Sequence, residues 1–141
     1  FAIDCEMVLT AIGSELARVT VIRYTPKDDN DMDGHTVEFD SLVKPPRPVK
    51  DYLTKYSGIK MNDLDNVSTR LEDIQFRLMK LLRKEDILVG HGLENDLKAL
   101  NCKIINLKTP KELAVSLILE LSRICLAILG PIRLIGALRV S

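Results

Sequence analysis

The chain has 141 residues, of which 46% are hydrophobic and 28% are charged, and its formal net charge is zero. This composition is typical of one soluble globular domain that is long enough to bury a core. No basic block is strong enough to indicate nucleic-acid binding by itself. Charge is nevertheless uneven: residues 1–96 carry 13 Lys and Arg against 18 Asp and Glu, and residues 97–141 carry 7 against 2.

The cysteines are odd in number and widely spaced, at Cys5, Cys102 and Cys125. Scattered cysteines in apolar surroundings indicate a reduced, intracellular protein, so we expect nuclear or cytoplasmic residence and cysteines that serve in packing. Because the chain starts inside a strand pattern and not with Met, we interpret it as an excised domain or a fragment.

Three extended segments come first, over residues 1–9, 15–24 and 35–44. Apolar and polar residues alternate along the second and third segments, which is the pattern of half-buried strands. A polar, acidic loop over residues 26–34 separates these two segments. The order predicts an antiparallel meander of three strands.

Helical patterns follow the proline-rich segment 45–48. Residues 51–59 predict a short helix or turn that ends at Gly58. Apolar residues at helical spacing predict a helix that runs to Arg83, with Ser68 or Thr69 as its N-cap and Glu72 completing a capping box. The remaining pattern predicts, in order, a short strand at 86–89, a tight turn at 90–92, a helix at 93–100 and a short strand at 102–107. Together these elements predict an α/β fold on a mixed sheet, with three leading antiparallel strands flanked by helices.

The last part of the chain differs in character. Residues 111–129 have a helical pattern that is apolar nearly all round and ends at Gly130-Pro131. The apolar stretch contains Glu120 and Arg123 and is shorter than the roughly 20 residues that a membrane span requires. We therefore expect a core helix, or an apolar helix that docks on a protein partner, and no membrane association. The predicted division is an α/β domain over residues 1–108 and a divergent apolar helical tail over 109–141.

Two carboxylates lie inside the apolar first strand. Asp4 and Glu6 are two residues apart, so their side chains point to the same face of the strand. Two anions on one buried strand are electrostatically costly unless a cation meets them, and a divalent metal would turn that cost into a binding site. Asp96 follows a predicted strand on the first turns of a helix, where it can reach the end of a neighbouring strand.

Several segments of the chain resemble a known family. Residues 2–8, AIDCEMV, resemble the first motif of the DEDDh family of 3′–5′ exonucleases, and residues 87–100, ILVGHGLENDLKAL, resemble its second motif. The similarity is to the eukaryotic RNA exonuclease branch, which includes the interferon-stimulated exonuclease and plant small-RNA-degrading nucleases. It covers about residues 1–105, with further matching segments in the expected order at 16–21, 42–45, 49–52 and 56–59.

The resemblance implies a ribonuclease H-like fold and a two-metal mechanism. By that resemblance, Asp4, Glu6 and Asp96 are catalytic and hold two divalent cations, Mg²⁺ or Mn²⁺, which prefer carboxylate oxygens. One metal would lower the pKa of an attacking water and the other would stabilise the leaving 3′ oxygen. The implied substrates are the 3′ ends of RNA or single-stranded DNA.

Three further residues are candidates for substrate binding: Met7, His91 and Leu93. Met7 either lies against the terminal base or packs in the core. His91 either contacts a substrate phosphate or hydrogen-bonds backbone.

The chain departs from the family at its third motif, which supplies a general-base His followed by a fourth metal-binding Asp. After Asp96 the sequence contains no His and no Asp, so no general base is found, and Asn106 stands where relatives usually have Asp. A positioned general base contributes ~10²–10⁴ in rate. We therefore expect little or no nuclease activity from this chain, whose C-terminal part is truncated or divergent.

Three functions remain open from the sequence. The first is an exonuclease that is complete only in a longer parent. The second is a decayed module that binds metal or nucleic acid without cleaving it. The third is an interaction protein that uses the tail helix.

Overall fold

The computed structural model describes residues 1–25, 34–83 and 85–101. The strand predicted at 102–107, the helical tail with its protein partner, and Cys102 and Cys125 lie outside these residues. In the described part of the chain, no helix is long and apolar enough to cross a membrane. The elements, in chain order, are β1 (Ala2–Thr10), β2 (Gly13–Tyr24), β3 (His35–Leu42), α1 (Thr54–Ser57), a 3₁₀ turn (Met61–Leu64), α2 (Leu71–Leu81) and α3 (Leu93–Ala99).

The three strands form an antiparallel sheet in the order β1-β2-β3, which confirms the predicted meander. The register between β1 and β2 shifts once, between Glu6 and Met7. Ala17 is the extra residue on β2 at this bulge, because Glu6 lies opposite Arg18 and Met7 lies opposite Leu16.

The segment predicted as a strand at 86–89 runs parallel to β1 on the side away from β2. The Ile3 N–H donates to the Val89 carbonyl at 2.9 Å, and the Val89 N–H donates to the Phe1 carbonyl at 2.8 Å. The contact is a single parallel bridge and not a longer ladder. It makes β1 the central element, with pairing partners on both edges.

The N-terminus of α2 differs from the prediction. The helix begins at Leu71, and the backbone N–H of its N-cap, Arg70, donates to the Asp73 carboxylate at 2.7 Å. The Thr69 carbonyl instead accepts the Lys44 N–H at 2.8 Å, which ties this segment to the chain that follows β3. The predicted cap at Ser68 or Thr69 with Glu72 is therefore wrong.

The main core covers one face of the sheet. Ile3, Cys5, Val19 and Val21 project into it from β1 and β2, and α2 and the chain around α3 pack against them, with Ile74, Leu78, Leu88 and Leu100 also fully buried. The Gln75 side chain donates to the Leu100 carbonyl at 2.7 Å and links α2 to the end of α3. Burying each of these large apolar side chains stabilises the fold by about 1.5–3 kcal/mol.

A smaller core covers only part of the opposite face. Val8 and Ala17 pack there against Ile59 and Leu64, which belong to the segment after α1. Asp4 and Glu6 lie on the same face but closer to the start of β1, beyond this cover. The fold therefore leaves the carboxylates on the less covered part of an otherwise buried strand.

Candidate active site

Alternation along β1 separates the core side chains from the candidate site. Ile3 and Cys5 are buried in the main core, whereas Asp4 and Glu6 are half-buried on the other face. The register of the sheet places Thr20 opposite Asp4 and Arg18 opposite Glu6. Because directly opposite residues share a face, Arg18 stands beside the carboxylates. Arg18 was not among the residues predicted from the sequence, since register is a tertiary property.

Asp96 reaches β1 from the first turns of α3. Its carboxylate is buried, with only 4% of the residue exposed, and Oδ1 accepts the Cys5 backbone N–H at 3.1 Å. The N–H groups of Ile3 and Cys5 lie on the same edge of β1, and Ile3 uses Val89 as its acceptor. After Val89 the chain turns away at Gly90, so the Asp96 side chain supplies the next acceptor along that edge.

Gly90 makes this approach sterically feasible. A Cβ at this position would lie 2.9 Å from the Ile3 carbonyl oxygen, 3.1 Å from Leu93 Cδ1 and 3.5 Å from Asp96 Oδ2. The first distance is too short for any side chain without a backbone shift. The sequence pattern indicated Gly90 only as a turn residue, and the close backbone contact that requires glycine is visible only in the structure.

The three carboxylates influence one another electrostatically. Burial raises the pKa of Asp96 to about 7, the Asp4 charge adds to this effect, and the hydrogen bonds from Cys5 oppose it. Burial also raises the pKa of Glu6 to about 7, with contributions from Asp4 and Asp96 and an opposing one from Arg18. The pKa of Asp4 is raised by burial and lowered by the charges of His91 and Arg18.

The predicted substrate contacts lie around this group in different environments. Met7 and Leu93 are partly buried and pack against the main core. His91 is exposed, and its charge lowers the pKa of Asp4. Burial and the nearby acids raise the pKa of the Cys5 thiol far above its ordinary value, so Cys5 stays protonated and is not a nucleophile.

The donors suit a hard cation, although they do not converge on one point. Asp96 Oδ2 is buried with no hydrogen-bond partner in the described part of the chain, and a cation would satisfy it. Within residues 1–25, 34–83 and 85–101, no group of three His, Cys, Asp or Glu side chains is close enough to hold a metal ion. Mutual repulsion among three carboxylates favours such a spread arrangement.

Comparison with known proteins identifies the family. The family model described as Exonuclease matches residues 1–130. The chain belongs to the exonuclease family. An uncharacterized exonuclease of Schizosaccharomyces pombe is 46% identical over 99 residues, which are 70% of this chain and 14% of that protein. RNA exonuclease 1 of Saccharomyces cerevisiae is 40% identical over 104 residues, which are 73% of this chain and 17% of that protein. The chain thus spans less than a fifth of the length of these relatives.

Solved structures of exonucleases share the fold. The Pan2 pseudoubiquitin hydrolase–RNA exonuclease module of Saccharomyces cerevisiae, in complex with AAGGA RNA, matches with a TM-score of 0.57 and 28% identity. The match covers 78% of this chain and 19% of that one. The fold is therefore the α/β, ribonuclease H-like exonuclease fold, as the sequence predicted.

Exonucleases of this family typically use divalent metal ions. The chemistry of the described residues fits that use: three carboxylates, a buried carboxylate oxygen without a partner and no competing basic side chain in contact with it. These residues are the ones predicted from the sequence, Asp4, Glu6 and Asp96.

Proposed function

We propose that this chain carries the metal-binding part of a 3′–5′ exonuclease domain that acts on RNA. The observation that supports this most directly is that Asp4 and Glu6 of β1 interact electrostatically with buried Asp96, whose Oδ2 has no hydrogen-bond partner in the described part of the chain. Relatives at 40% identity or more are named as exonucleases, and several of them as RNA exonucleases, which favours RNA as the substrate class. Single-stranded DNA is the alternative substrate.

The proposed roles follow from the placement of each side chain. Asp4, Glu6 and Asp96 would hold two divalent cations, Mg²⁺ or Mn²⁺, whose charge would lower the pKa of an attacking water and stabilise the leaving 3′ oxygen. The Cys5 N–H orients Asp96, and Gly90 leaves room for it. Met7, His91 and Leu93 are the proposed substrate contacts, and the charge of His91 lowers the pKa of Asp4.

Thermal unfolding with and without Mn²⁺ tests the metal site. A cation that binds the folded chain at 100 times its Kd stabilises it by about 2.7 kcal/mol. We expect Mn²⁺ to raise the Tm of the unsubstituted chain, and we expect Asp4→Asn and Asp96→Asn to abolish that rise. The control is Glu72→Gln, an exposed acid on α2 that should leave the rise intact. An equal rise in all four proteins would contradict the proposal.

Hydrolysis is a separate question for this chain. Because no His or Asp follows Asp96, we expect little or no degradation of a 5′-labelled oligoribonucleotide with Mn²⁺. A ladder of shortened products that disappears in Asp4→Asn would confirm the nuclease assignment and refute the expected inactivity.

The second candidate is a module that binds metal or RNA without cleaving it. The missing general base and the spread carboxylates favour it. A longer parent chain with a His and a following Asp in register would identify a complete exonuclease, and a parent without them would favour the binding module. Nuclear or cytoplasmic residence and the boundary between residues 108 and 109 stay predictions.

A further inference from the structure

A groove opens on the same face of the sheet as the carboxylates, on the side of Arg18 away from β1. Its volume is about 570 Å³, within the range of about 300–1,000 Å³ that small ligands occupy in proteins. One wall is formed by β2 and β3, with Arg18, Asp40 and Ser41, and the other by the segment between α1 and α2, with Asn66, Ser68 and Thr69. Arg18 belongs both to this groove and to the surroundings of Glu6.

The guanidinium of Arg18 is held in a fixed orientation. Nε and Nη2 donate to the two oxygens of Asp40 at 2.8 and 2.6 Å, and Thr20 Oγ1 donates to Asp40 Oδ1 at 3.1 Å. Two parallel N–H···O bonds fix the plane of the guanidinium as well as its position. Nη1 has no partner in the described part of the chain, so donors remain for a ligand.

Charge divides the groove into two parts. Asp40 offsets the charge of Arg18, and the other acid of the lining, Asp63, accepts the Lys60 backbone N–H at 2.8 Å through Oδ2. The remaining polar groups of the wall are hydroxyls and one amide, which suit the hydroxyl and amino groups of a nucleoside and not a phosphate. The free edge of the guanidinium, in contrast, suits a phosphate oxygen.

The groove and two of the predicted substrate contacts lie on opposite sides of the carboxylates. His91 and Leu93 lie on the edge of β1 that pairs with Val89, whereas the groove lies across β2 towards β3. An RNA strand with its 3′-terminal nucleotide beside His91 and Leu93 would therefore have its preceding nucleotide near the groove.

We propose that this groove binds the second nucleoside from the 3′ end of the RNA, and that Arg18 contacts the adjoining phosphate. The proposal rests on the function proposed above, because it assumes that the scissile bond lies over Asp4 and Glu6. It assigns Arg18 as a substrate-binding residue, with Asp40 and Thr20 as the residues that position it.

Binding of a 5′-fluorescein RNA pentamer to the full chain, measured by anisotropy, tests the proposal. EDTA is present, so the result does not depend on metal binding. We expect Arg18→Gln to weaken binding roughly tenfold or more, as for loss of a hydrogen bond to a charged group. Loss of one phosphate contact should also reduce the slope of log K against log salt by about 0.7. Arg23→Gln is the matched control, since Arg23 pairs with Glu38 across the same two strands but does not line the groove.

A second variant distinguishes binding of the nucleoside from binding of the phosphate. Ser68 is an exposed residue of the wall, so Ser68→Trp should fill the groove without unfolding the chain. We expect it to weaken binding severalfold with an unchanged salt slope. With 4-thiouridine as the second nucleotide from the 3′ end, crosslinking should label peptides from residues 58–70.

Several results would overturn the inference: no measurable binding by the unsubstituted chain, equal effects of Arg18→Gln and Arg23→Gln, full affinity in Ser68→Trp, or crosslinks that all lie outside residues 58–70. If Mn²⁺ raises the Tm but Arg18→Gln and Ser68→Trp bind RNA with unchanged affinity, the groove does not bind the second nucleoside and the proposed function still stands. Groove effects without a Mn²⁺ response would refute the metal site instead.

Discussion

The two faces of β1 carry the same backbone and opposite chemistry. Ile3 and Cys5 are buried in the main core, at 1% and 6% exposed, where their side chains pack among apolar residues. Asp4 and Glu6, one residue away along the strand, are half-buried, and no ion pair joins them to another described residue. A strand whose register is fixed by its core face can therefore hold its other face in an electrostatically unfavourable arrangement.

The difference shows how the chain tolerates its site. Burial of the carboxylates without a counter-charge in contact opposes folding, and the pKa values of Glu6 and Asp96 near 7 report that opposition. The free energy that offsets it comes from the apolar side chains behind the same strand. Substitutions on the two faces should accordingly have opposite effects on stability.

The largest expected effect comes from the core face. Ile3→Ala removes a fully buried side chain and should lower the free energy of unfolding by about 2–5 kcal/mol, because it leaves a cavity. Asp4→Asn, one residue along, should leave stability at pH 8 unchanged or raise it. Urea unfolding of both variants at pH 8 measures the contrast, and a comparable loss in both would refute the distinction between the faces.

Gly90 joins the two regions, since a Cβ at this position would meet both the backbone of β1 and the carboxylate of Asp96. Gly90→Ala should destabilise the fold by about 1–3 kcal/mol through overpacking, and should also weaken Mn²⁺ binding. Gly92→Ala is the control. The φ of +64° at Gly92 makes alanine strained there, but a Cβ at this position would meet only the Asn95 side chain, at an ordinary contact distance of 3.5 Å. We expect Gly92→Ala to lower Tm without changing the Mn²⁺ response, and the same response in both variants would argue against a special role for Gly90.

Protonation of the site should show in the pH dependence of stability. The pKa values of Glu6 and Asp96 are raised to about 7 from ordinary values of 4.5 and 3.8, so the folded chain binds more protons than the unfolded one between these limits. The free energy of unfolding should therefore fall as pH rises from about 4 to 7, by at most about 1.4 kcal/mol per pH unit for each carboxyl. Asp96→Asn should flatten the profile, measured by urea unfolding from pH 4 to 8, whereas Glu72→Gln should not.

The smallest effect is expected from the ion pair between Arg18 and Asp40, which two hydrogen bonds hold together. Both side chains are more than a third exposed, and exposed ion pairs contribute about 0–1 kcal/mol. A double-mutant cycle of Arg18→Gln and Asp40→Asn should give a coupling in that range, similar to the cycle of Arg23 with Glu38. A coupling energy well above that range would mean that the ion pair stabilises the fold, which would weaken the assignment of Arg18 to substrate binding.

Local patterns predicted the elements well. Alternation over residues 15–24 and 35–44 indicated the two strands now seen at Gly13–Tyr24 and His35–Leu42, and Gly58 ends α1 with a φ of +70° as its position suggested. Helix capping was predicted less well, because the Thr69 carbonyl accepts a hydrogen bond from the backbone N–H of Lys44, a residue distant in sequence. A cap motif competes with tertiary hydrogen bonds that the local sequence does not show.

The candidate site was also predictable in its residue types and not in its contacts. Asp4 and Glu6 stood out as carboxylates within an apolar strand, and Asp96 stood out by its place after the segment that ends at Val89. Nothing in the local sequence shows that Arg18 faces Glu6, because a bulge at Ala17 sets that register.

The sequence by itself determined the family, the strand that holds two acids on one face, and the absence of His and Asp after Asp96. These are properties of residue identity and short-range periodicity. Only the tertiary structure decided that the Cys5 N–H holds Asp96, that glycine is required at residue 90, and that Arg18 borders a groove. Each of these depends on which backbone edges meet, and that is settled by packing between segments far apart in the chain.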